Sequence, residues 1–491
     1  MQDARHGVVP VVIAIDRDSP QPLYRQIYEG YREAIVDGRL HGGERLPSTR
    51  DLAAELGVSR FPILNAFEQL VAEGYCEAQT GAGTFVAASL PEAVAPSRTT
   101  NGLAPRTPSS GPRELASGPA ADVSSPPPWL AGPGPLTIGG TAVDEFPLRV
   151  WATLLTRRAR DISPELLHYG PRHGLQSFRE AIAAYLRASR GVLCEPDQVM
   201  VVSGSQQALA LAARLLLDPS RPVWIEEPGY WGARDAFTLA GARLVPVPVD
   251  EEGLNVAEGV ARCPRAHAVY VTPSHQFPLG VTMSASRRMQ LLDWAQRTGA
   301  WIIEDDYNSE FRYESLPIAA LQGLDRDARV IYIGTFSKVL SPGLRIGYLV
   351  LPPDLVDRFG LLRWTADISP PTFLQAVLTD FLNEGHFARH LRRMRKLYRE
   401  RRSALVDAIR DLPGEGITVL GDRAGLHLVA TLPASLRDVE VAARALEEGV
   451  KVLPLSTCYL GPDHRQGLVL GYGGTRADEI PSAVRRLARA L

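Results

Sequence analysis

The sequence predicts a multidomain chain, with a winged helix-turn-helix (α+β) at the N-terminal end, a linker, and a large α/β domain. Three observations predict it. The 491 residues exceed what one hydrophobic core fills and leave room for about three packing units at about 150 residues each. A stretch rich in Pro, Gly and Ser, including Pro126-Pro127-Pro128, interrupts the apolar patterning over residues 89–135. On its two sides the pattern differs: short amphipathic helices with glycine stops precede it, and apolar strands alternating with helices follow it.

Composition narrows the function classes. Lys+Arg 53 against Asp+Glu 55 gives a net charge of -2, so no global basic field advertises nucleic acid and any DNA contact rests on local arginines. Hydrophobic residues at 45% and charged residues at 22% exclude disorder as the overall state. Cys76, Cys194, Cys263 and Cys458 lie far apart without a C-x-x-C pair, which predicts neither a disulfide framework nor a metal site and fits a reducing cytoplasm. The apolar stretch Val8 to Ile15 is interrupted by Pro10 and far shorter than the ~20 residues a membrane helix needs, so neither export nor membrane contact is expected.

The first unit, residues 15–88, reads as three helices and a hairpin. Pro22 opens a segment with Leu23, Ile27, Tyr31 and Ile35 at helical spacing, and Gly38 stops it. Ser48 is the expected N-cap of a second helix carrying Leu52, Ala53 and Leu56, closed by Gly57. Ser59 is the expected N-cap of a third, with Ile63, Leu64, Phe67, Leu70 and Val71 on one face and Gly74 at its end. Glu77 to Val86 then alternates around Gly81-Ala82-Gly83, as a wing of two short strands would.

Arg45, Arg50 and Arg60 fall at the starts of the second and third helices, where unpaired N–H groups and the positive dipole end suit phosphate. Acidic residues outnumber basic ones in this segment, so charge alone argues an ordinary solvated surface. The arrangement argues otherwise. Gly43-Glu44-Arg45-Leu46-Pro47-Ser48-Thr49-Arg50-Asp51-Leu52-Ala53, Leu56-Gly57-Val58-Ser59-Arg60 and Gly81-Ala82-Gly83-Thr84-Phe85-Val86 together resemble the GntR family of bacterial winged-helix regulators. The resemblance implies that Arg45, Ser48, Arg50, Ser59 and Arg60 touch double-stranded promoter DNA and that Gly81 and Gly83 approach its minor groove. Pro62 replaces the usual threonine of the recognition helix, and a first helical turn tolerates it.

The large domain, residues 136–491, begins its strand pattern at Val199-Val202 and continues through Val223-Ile225, Val269-Val271, Trp301-Ile303, Val330-Ile333 and Tyr348-Leu351. Strands alternating with helices predict a mostly parallel sheet with ligands at the strand C-terminal ends. Ser203-Gly204-Ser205-Gln206-Gln207 joins the first strand to a helix in a turn suited to phosphate, although taken alone a plain strand-to-helix turn explains it better. Glu304-Asp305-Asp306-Tyr307 and Gly334-Thr335-Phe336-Ser337-Lys338 end two others, with Arg345 close behind. Together they supply what pyridoxal 5'-phosphate needs: a lysine for its aldehyde, a carboxylate for its ring nitrogen, and hydroxyls and an arginine for its phosphate.

From about Asp144 onward these motifs resemble fold-type-I aminotransferases, an α/β fold dependent on that cofactor. The resemblance implies a large subdomain at about 165–370 and a smaller α+β subdomain at about 371–491. It also implies roles: Lys338 for the aldehyde, Asp305 for the ring nitrogen with Asp306 as the alternative, Tyr307 for the phenolic oxygen, and Tyr230 stacked on the ring. Ser205, Gln206, Thr335 and Arg345 would meet the phosphate. His275 lies in the loop Thr272-Pro273-Ser274-His275-Gln276-Phe277-Pro278-Leu279-Gly280, which would flank the ring, and Tyr169 of Tyr169-Gly170-Pro171-Arg172-His173-Gly174-Leu175 would reach a partner subunit's cofactor. The arginine-dense run Arg389 to Arg402 carries Leu391, Met394, Leu397 and Tyr398 at helical spacing and is expected to pack on the domain rather than bind DNA or lipid.

Joined, the two halves resemble the MocR family of bacterial transcription regulators along essentially the full length. That resemblance implies a homodimer whose aminotransferase-like domain senses an effector instead of sustaining turnover, with weak half-transamination as a residual activity. An arginine that clamps a carboxylate in the related enzymes falls at Val469 of Gly467-Leu468-Val469-Leu470-Gly471-Tyr472, and Gly232 supplies no second one. The missing clamp favours pyridoxal phosphate itself as the signal, as in the PdxR-type branch that controls vitamin B6 synthesis, with Arg465, Arg423 or Arg476 as substitutes by another route. The alternatives are an active aminotransferase with an accessory DNA-binding domain, a regulator sensing another amine or amino acid, and a sensor that has lost its cofactor.

Overall fold

Residues 13, 15–79, 81–90, 132–313, 318–412, 416–462 and 464–491 are described by the computed structural model. The chain divides between residues 115 and 116 into two compact units. Most of the predicted linker lies outside the described residues.

In the first unit, helices α1 (Leu23–Val36), α2 (Thr49–Leu56) and α3 (Arg60–Ala72) precede strands β1 (Cys76–Gln79) and β2 (Gly83–Val86). Ile27, Tyr31, Ala34 and Ile35 bury one face of α1, and Tyr31 meets Phe67 of α3 edge-to-face with ring centroids 5.4 Å apart. Ser48 Oγ accepts from the Asp51 N–H at 3.2 Å and caps α2, while Gly57 ends it at φ 59°. Ser59 is the N-cap of α3 as expected, although its side chain makes no cap bond. One expectation needs correction: Leu64 points to solvent, because Ile63, Phe67 and Leu70 already fill the buried stripe. The wing pairs antiparallel from Cys76↔Val86 to Gln79↔Gly83, and Gly83 adopts φ 117°, a conformation open to glycine. N–H groups of Gly43 and Leu46 donate to Val86 and Thr84 carbonyls, tying the approach to α2 onto the wing.

The second unit is built on an eight-stranded sheet of β3 (Val199–Val202), β4 (Pro222–Glu227), β5 (Arg243–Asp250), β6 (Gly253–Leu254), β7 (Ala268–Val271), β8 (Trp301–Asp306), β9 (Val330–Thr335) and β10 (Gly347–Val350). Their order is β3-β10-β9-β8-β7-β4-β5-β6. β5, β4, β7, β8 and β9 run parallel, and β10 is antiparallel to both its neighbours. Helices α4 (Leu148–Arg160), α5 (Gln176–Arg190), α6 (Ser205–Leu216), α7 (Trp231–Leu239), α8 (Val256–Arg262), α9 (Ala285–Thr298), α10 (Val356–Asp367) and α11 (Thr372–Asn383) accompany it. Both faces are covered: Val199 and Val201 of β3 enter one apolar cluster, Met200 and Val202 another.

Strand β5 lacks a plain sequence signature because Pro246 and Pro248 break its donor pattern. It survives because β6 pairs with it only at Val249 and Asp250, so most of its outer edge needs no donors.

The smaller subdomain holds β11 (Val419–Leu420), β12 (His427–Thr431), β13 (Leu453–Pro454) and β14 (Gly467–Gly471) in the antiparallel order β11-β12-β14-β13, with α13 (Asp438–Glu447) and α14 (Ile480–Ala488). The long α12 (His386–Arg410) carries the arginine-dense run, and it packs as expected. Leu391, Met394 and Tyr398 are buried, Arg401 is 2% exposed and pairs with Asp144 at 3.1 Å, and Arg402 pairs with Asp422. Residues ahead of the sheet also join this end, since the Leu136 N–H donates to Thr475 Oγ1 and the Gly471 N–H to the Leu136 carbonyl. Among the described residues no helix is long and apolar enough to cross a membrane, and no cluster of three metal-ligating side chains occurs.

Candidate functional site

Strand alternation decides which carboxylate of Glu304-Asp305-Asp306 serves the site. Asp305 lines a cavity of about 290 Å³, while its neighbours point the other way. Glu304 accepts from the Leu321 and Gln322 N–H groups, and Asp306 is locked to Arg190 at 2.8 Å and to the Tyr332 hydroxyl at 2.7 Å. Asp305 Oδ2 accepts from the Tyr270 hydroxyl at 2.9 Å, whereas its Oδ1 is buried without a partner. Burial pushes the carboxyl up to about 7, against the Tyr270 hydrogen bond and the charge on Lys338.

Lys338 reaches the same cavity from the end of β9, and its Nζ donates to the Gly139 carbonyl at 3.2 Å. Burial lowers its pKa below the ordinary ammonium value, opposed by Asp305 and assisted by Arg345. At the β3–α6 junction Gly204 holds φ 99°, and Arg345 Nη2 donates to the Ser203 carbonyl at 2.8 Å. Ser205, Gln206 and Thr335 join Arg345 in the lining, so oriented N–H groups, hydroxyls and a guanidinium converge. Ser337 also lines it, with its Oγ buried and unpartnered. Tyr230 and Tyr307 line it as well, with the Tyr307 hydroxyl donating to the His275 carbonyl at 3.0 Å.

These donors fit pyridoxal 5'-phosphate. The orphaned Asp305 Oδ1 matches a protonated ring nitrogen, the lysine is desolvated, and an anion cradle closes one end. The fit rests on groups from separate strands that the fold brings together.

Two predicted residues stand outside the cavity. His275 is not part of its wall: burial holds its imidazole down to about 4, and it packs behind Tyr307, Nδ1 3.3 Å from that hydroxyl and Nε2 2.7 Å from the Ala424 carbonyl. Tyr169 is 80% exposed on a separate surface beside Pro370 and Thr372. Several wall residues escaped the sequence reading, among them Tyr270, Trp231 and His427. Tyr270 had a signal, being the polar member of an apolar strand; His427 had none, because its strand reaches the site only through the tertiary fold.

None of the substitute arginines lines this cavity. Val469 is fully buried in an apolar cluster with Phe277 and Leu455, and a Cβ at Gly232 would stand 2.5 Å from the Tyr230 ring. Arg423 and Arg465 line a different cleft, and Arg476 is an exposed partner of Asp478.

In the first unit Arg45, Ser48, Arg50, Ser59, Arg60, Gly81 and Gly83 are all exposed. Arg60 donates to Thr49 Oγ1 at 3.1 Å, which links the starts of α2 and α3, and Arg45 lies against Gly83, so those starts and the wing are neighbours.

The GntR family of bacterial regulatory proteins matches residues 23–86, and the aminotransferase class I and II family matches residues 136–486. The probable rhizopine catabolism regulatory protein MocR of Rhizobium meliloti is 41% identical over 98% of this chain and 96% of its own length. The pyridoxine biosynthesis transcriptional regulator PdxR of Corynebacterium glutamicum is 31% identical over 98% of each. Among solved structures, the α-aminoadipate aminotransferase LysN of Thermus thermophilus, complexed with N-(5'-phosphopyridoxyl)-L-leucine, superposes with a TM-score of 0.69 at 32% identity, covering 74% of this chain and 93% of that one. Full-length likeness to regulators, on a body shared with transaminases, agrees with the two-part architecture. The chain therefore belongs to the MocR family of transcription regulators, in which a GntR-type DNA-binding domain is joined to an aminotransferase-like domain.

Proposed function

We propose that the chain is a cytoplasmic, homodimeric regulator that reads promoter DNA through Arg45, Ser48, Arg50, Ser59, Arg60 and the wing, and senses its effector in the pyridoxal phosphate cavity. Lys338 holds the cofactor aldehyde, Asp305 its ring nitrogen, Tyr307 its phenolic oxygen, Tyr230 its ring face, and Ser205, Gln206, Thr335 and Arg345 its phosphate. When bound, the cofactor supplies a reactive carbonyl that primary amines recognise. Tyr169 contacts the cofactor site of the partner subunit. His275 acts one step back, orienting the Tyr307 hydroxyl.

The observation that carries this reading is a complete cofactor donor set lacking the substrate-carboxylate arginine, on the same chain as a DNA-reading unit. A cavity without that clamp holds an amino acid substrate poorly and suits occupancy better than throughput. Occupancy then shifts the population of DNA-binding arrangements. Vitamin B6 genes are the first target to test, given the likeness to PdxR.

A gel shift on the gene's own upstream region, with and without pyridoxal phosphate and candidate amines, tests the reading. A change in DNA affinity on adding cofactor or amine is expected. Multiple turnovers with an amino donor and a keto acceptor would favour an active transaminase instead.

A further inference from the structure

The cavity wall has two chemically distinct parts. One holds Asp305, Lys338, Arg345 and the hydroxyls already assigned. The other is a contiguous aromatic and apolar surface: Trp231 and Phe277 have ring centroids 5.3 Å apart, Phe277 and His427 also 5.3 Å, and Ile138 and Leu426 extend it. Among the described residues, no arginine or lysine lies in the wall besides Arg345 and Lys338.

His427 is the polar group on this second surface. Its Nε2 lies 3.1 Å from the Pro278 carbonyl, which only accepts, so Nε2 carries the proton. Burial, with His275 and Lys338 nearby, drives its pKa well below the ordinary value, so the ring is neutral and Nδ1 is a lone-pair acceptor. Among the described residues no donor bonds Nδ1. His427 itself lines the cavity, so with Nε2 held by the Pro278 carbonyl, Nδ1 is the ring atom left to meet a ligand.

A fixed acceptor in an apolar wall welcomes a hydroxyl or amide N–H. A carboxylate there would be desolvated against a lone pair with no guanidinium to offset the cost. We infer that the effector subsite selects a primary amine that lacks a carboxylate and carries a hydroxyl, which donates to His427 Nδ1 while the carbon skeleton lies on Trp231 and Phe277. This rests on the reading of the cavity as the sensing site, and it makes His427 the specificity-determining residue.

Three chain-matched probes test it: 3-amino-1-propanol, β-alanine and propan-1-amine, titrated calorimetrically into full-length protein loaded with pyridoxal phosphate. The amino alcohol is expected to bind about tenfold tighter than either of the others, a factor equivalent to about 1.4 kcal/mol. His427→Phe keeps an aromatic ring but removes the acceptor, so the amino alcohol and propan-1-amine should then bind alike. Equal or tighter binding of β-alanine to the wild type, no binding of the amino alcohol, or survival of its advantage in a folded His427→Phe overturns the inference. The wild-type comparison stands even if the variant misfolds. Borohydride trapping of the cofactor on Lys338 comes first: its failure defeats the sensor reading and this inference with it, whereas a trapped, loaded protein without the preference defeats this inference alone.

Discussion

Asp305 carries a carboxyl that burial holds near 7, far above the ordinary value, and this has a consequence for stability. Because the native pKa is the higher one, the cofactor-free native state binds more protons than the unfolded chain between about pH 4 and 7, and stability falls as pH rises through that window. Asp305→Asn removes one such proton, so denaturant melts of cofactor-free protein should show the slope reduced by about 1.4 kcal/mol per pH unit. Glu226 and Glu304, also pushed up to about 7 by burial, keep the remaining slope in place. An unchanged slope would show that Asp305 is ionised as in water. The neighbouring residue makes a different prediction. Arg190 and Asp306 are 3% and 1% exposed, so Arg190→Met strands a buried carboxylate and should cost about 3–5 kcal/mol in chemical denaturation. The adjacency Asp305-Asp306 was readable in the sequence, but their opposite fates were not, since these depend on which side of β8 faces α5 and which faces the cavity.

At the scale of elements, the strand-to-helix junctions do the positioning. Gly204 between β3 and α6 holds φ 99°, and an added Cβ would stand 3.3 Å from Arg345 Nη2. Gly204→Ala should cost about 1–3 kcal/mol in backbone strain and weaken pyridoxal phosphate binding more than pyridoxal binding, which fluorescence titration of the two ligands separates. In the first unit the helix starts bear the side chains proposed to face DNA, so Arg60→Ala should lower promoter affinity in a gel shift while cofactor trapping on Lys338 stays intact. Helices and wing were legible because caps and glycine stops are local signals: Ser48 and Gly57 bound α2 as expected. The third helix was less so, since Ser59 caps it without a side-chain bond and the crowded apolar stripe leaves Leu64 to solvent.

For the whole molecule, sensing requires that the cofactor cavity and the DNA-reading surface be energetically coupled. Coupling is reciprocal, so whatever factor pyridoxal phosphate applies to DNA affinity, DNA must apply to cofactor affinity. Fluorescence titration of the cofactor with and without promoter DNA should return the same factor as the gel shift; a mismatch would mean the two assays follow different equilibria. The two-part organisation, the winged helix and the strand-end motifs around Lys338 and Arg345 followed from the sequence alone, because periodicity, caps and short motifs are written in neighbouring residues. Only the tertiary structure decided that Asp305 rather than Asp306 enters the cavity, that His275 stands behind Tyr307, that Arg423 and Arg465 face another cleft, and that His427 joins Lys338. Each of those depends on which strand faces which across long stretches of chain, and side-chain direction across a fold has no local code.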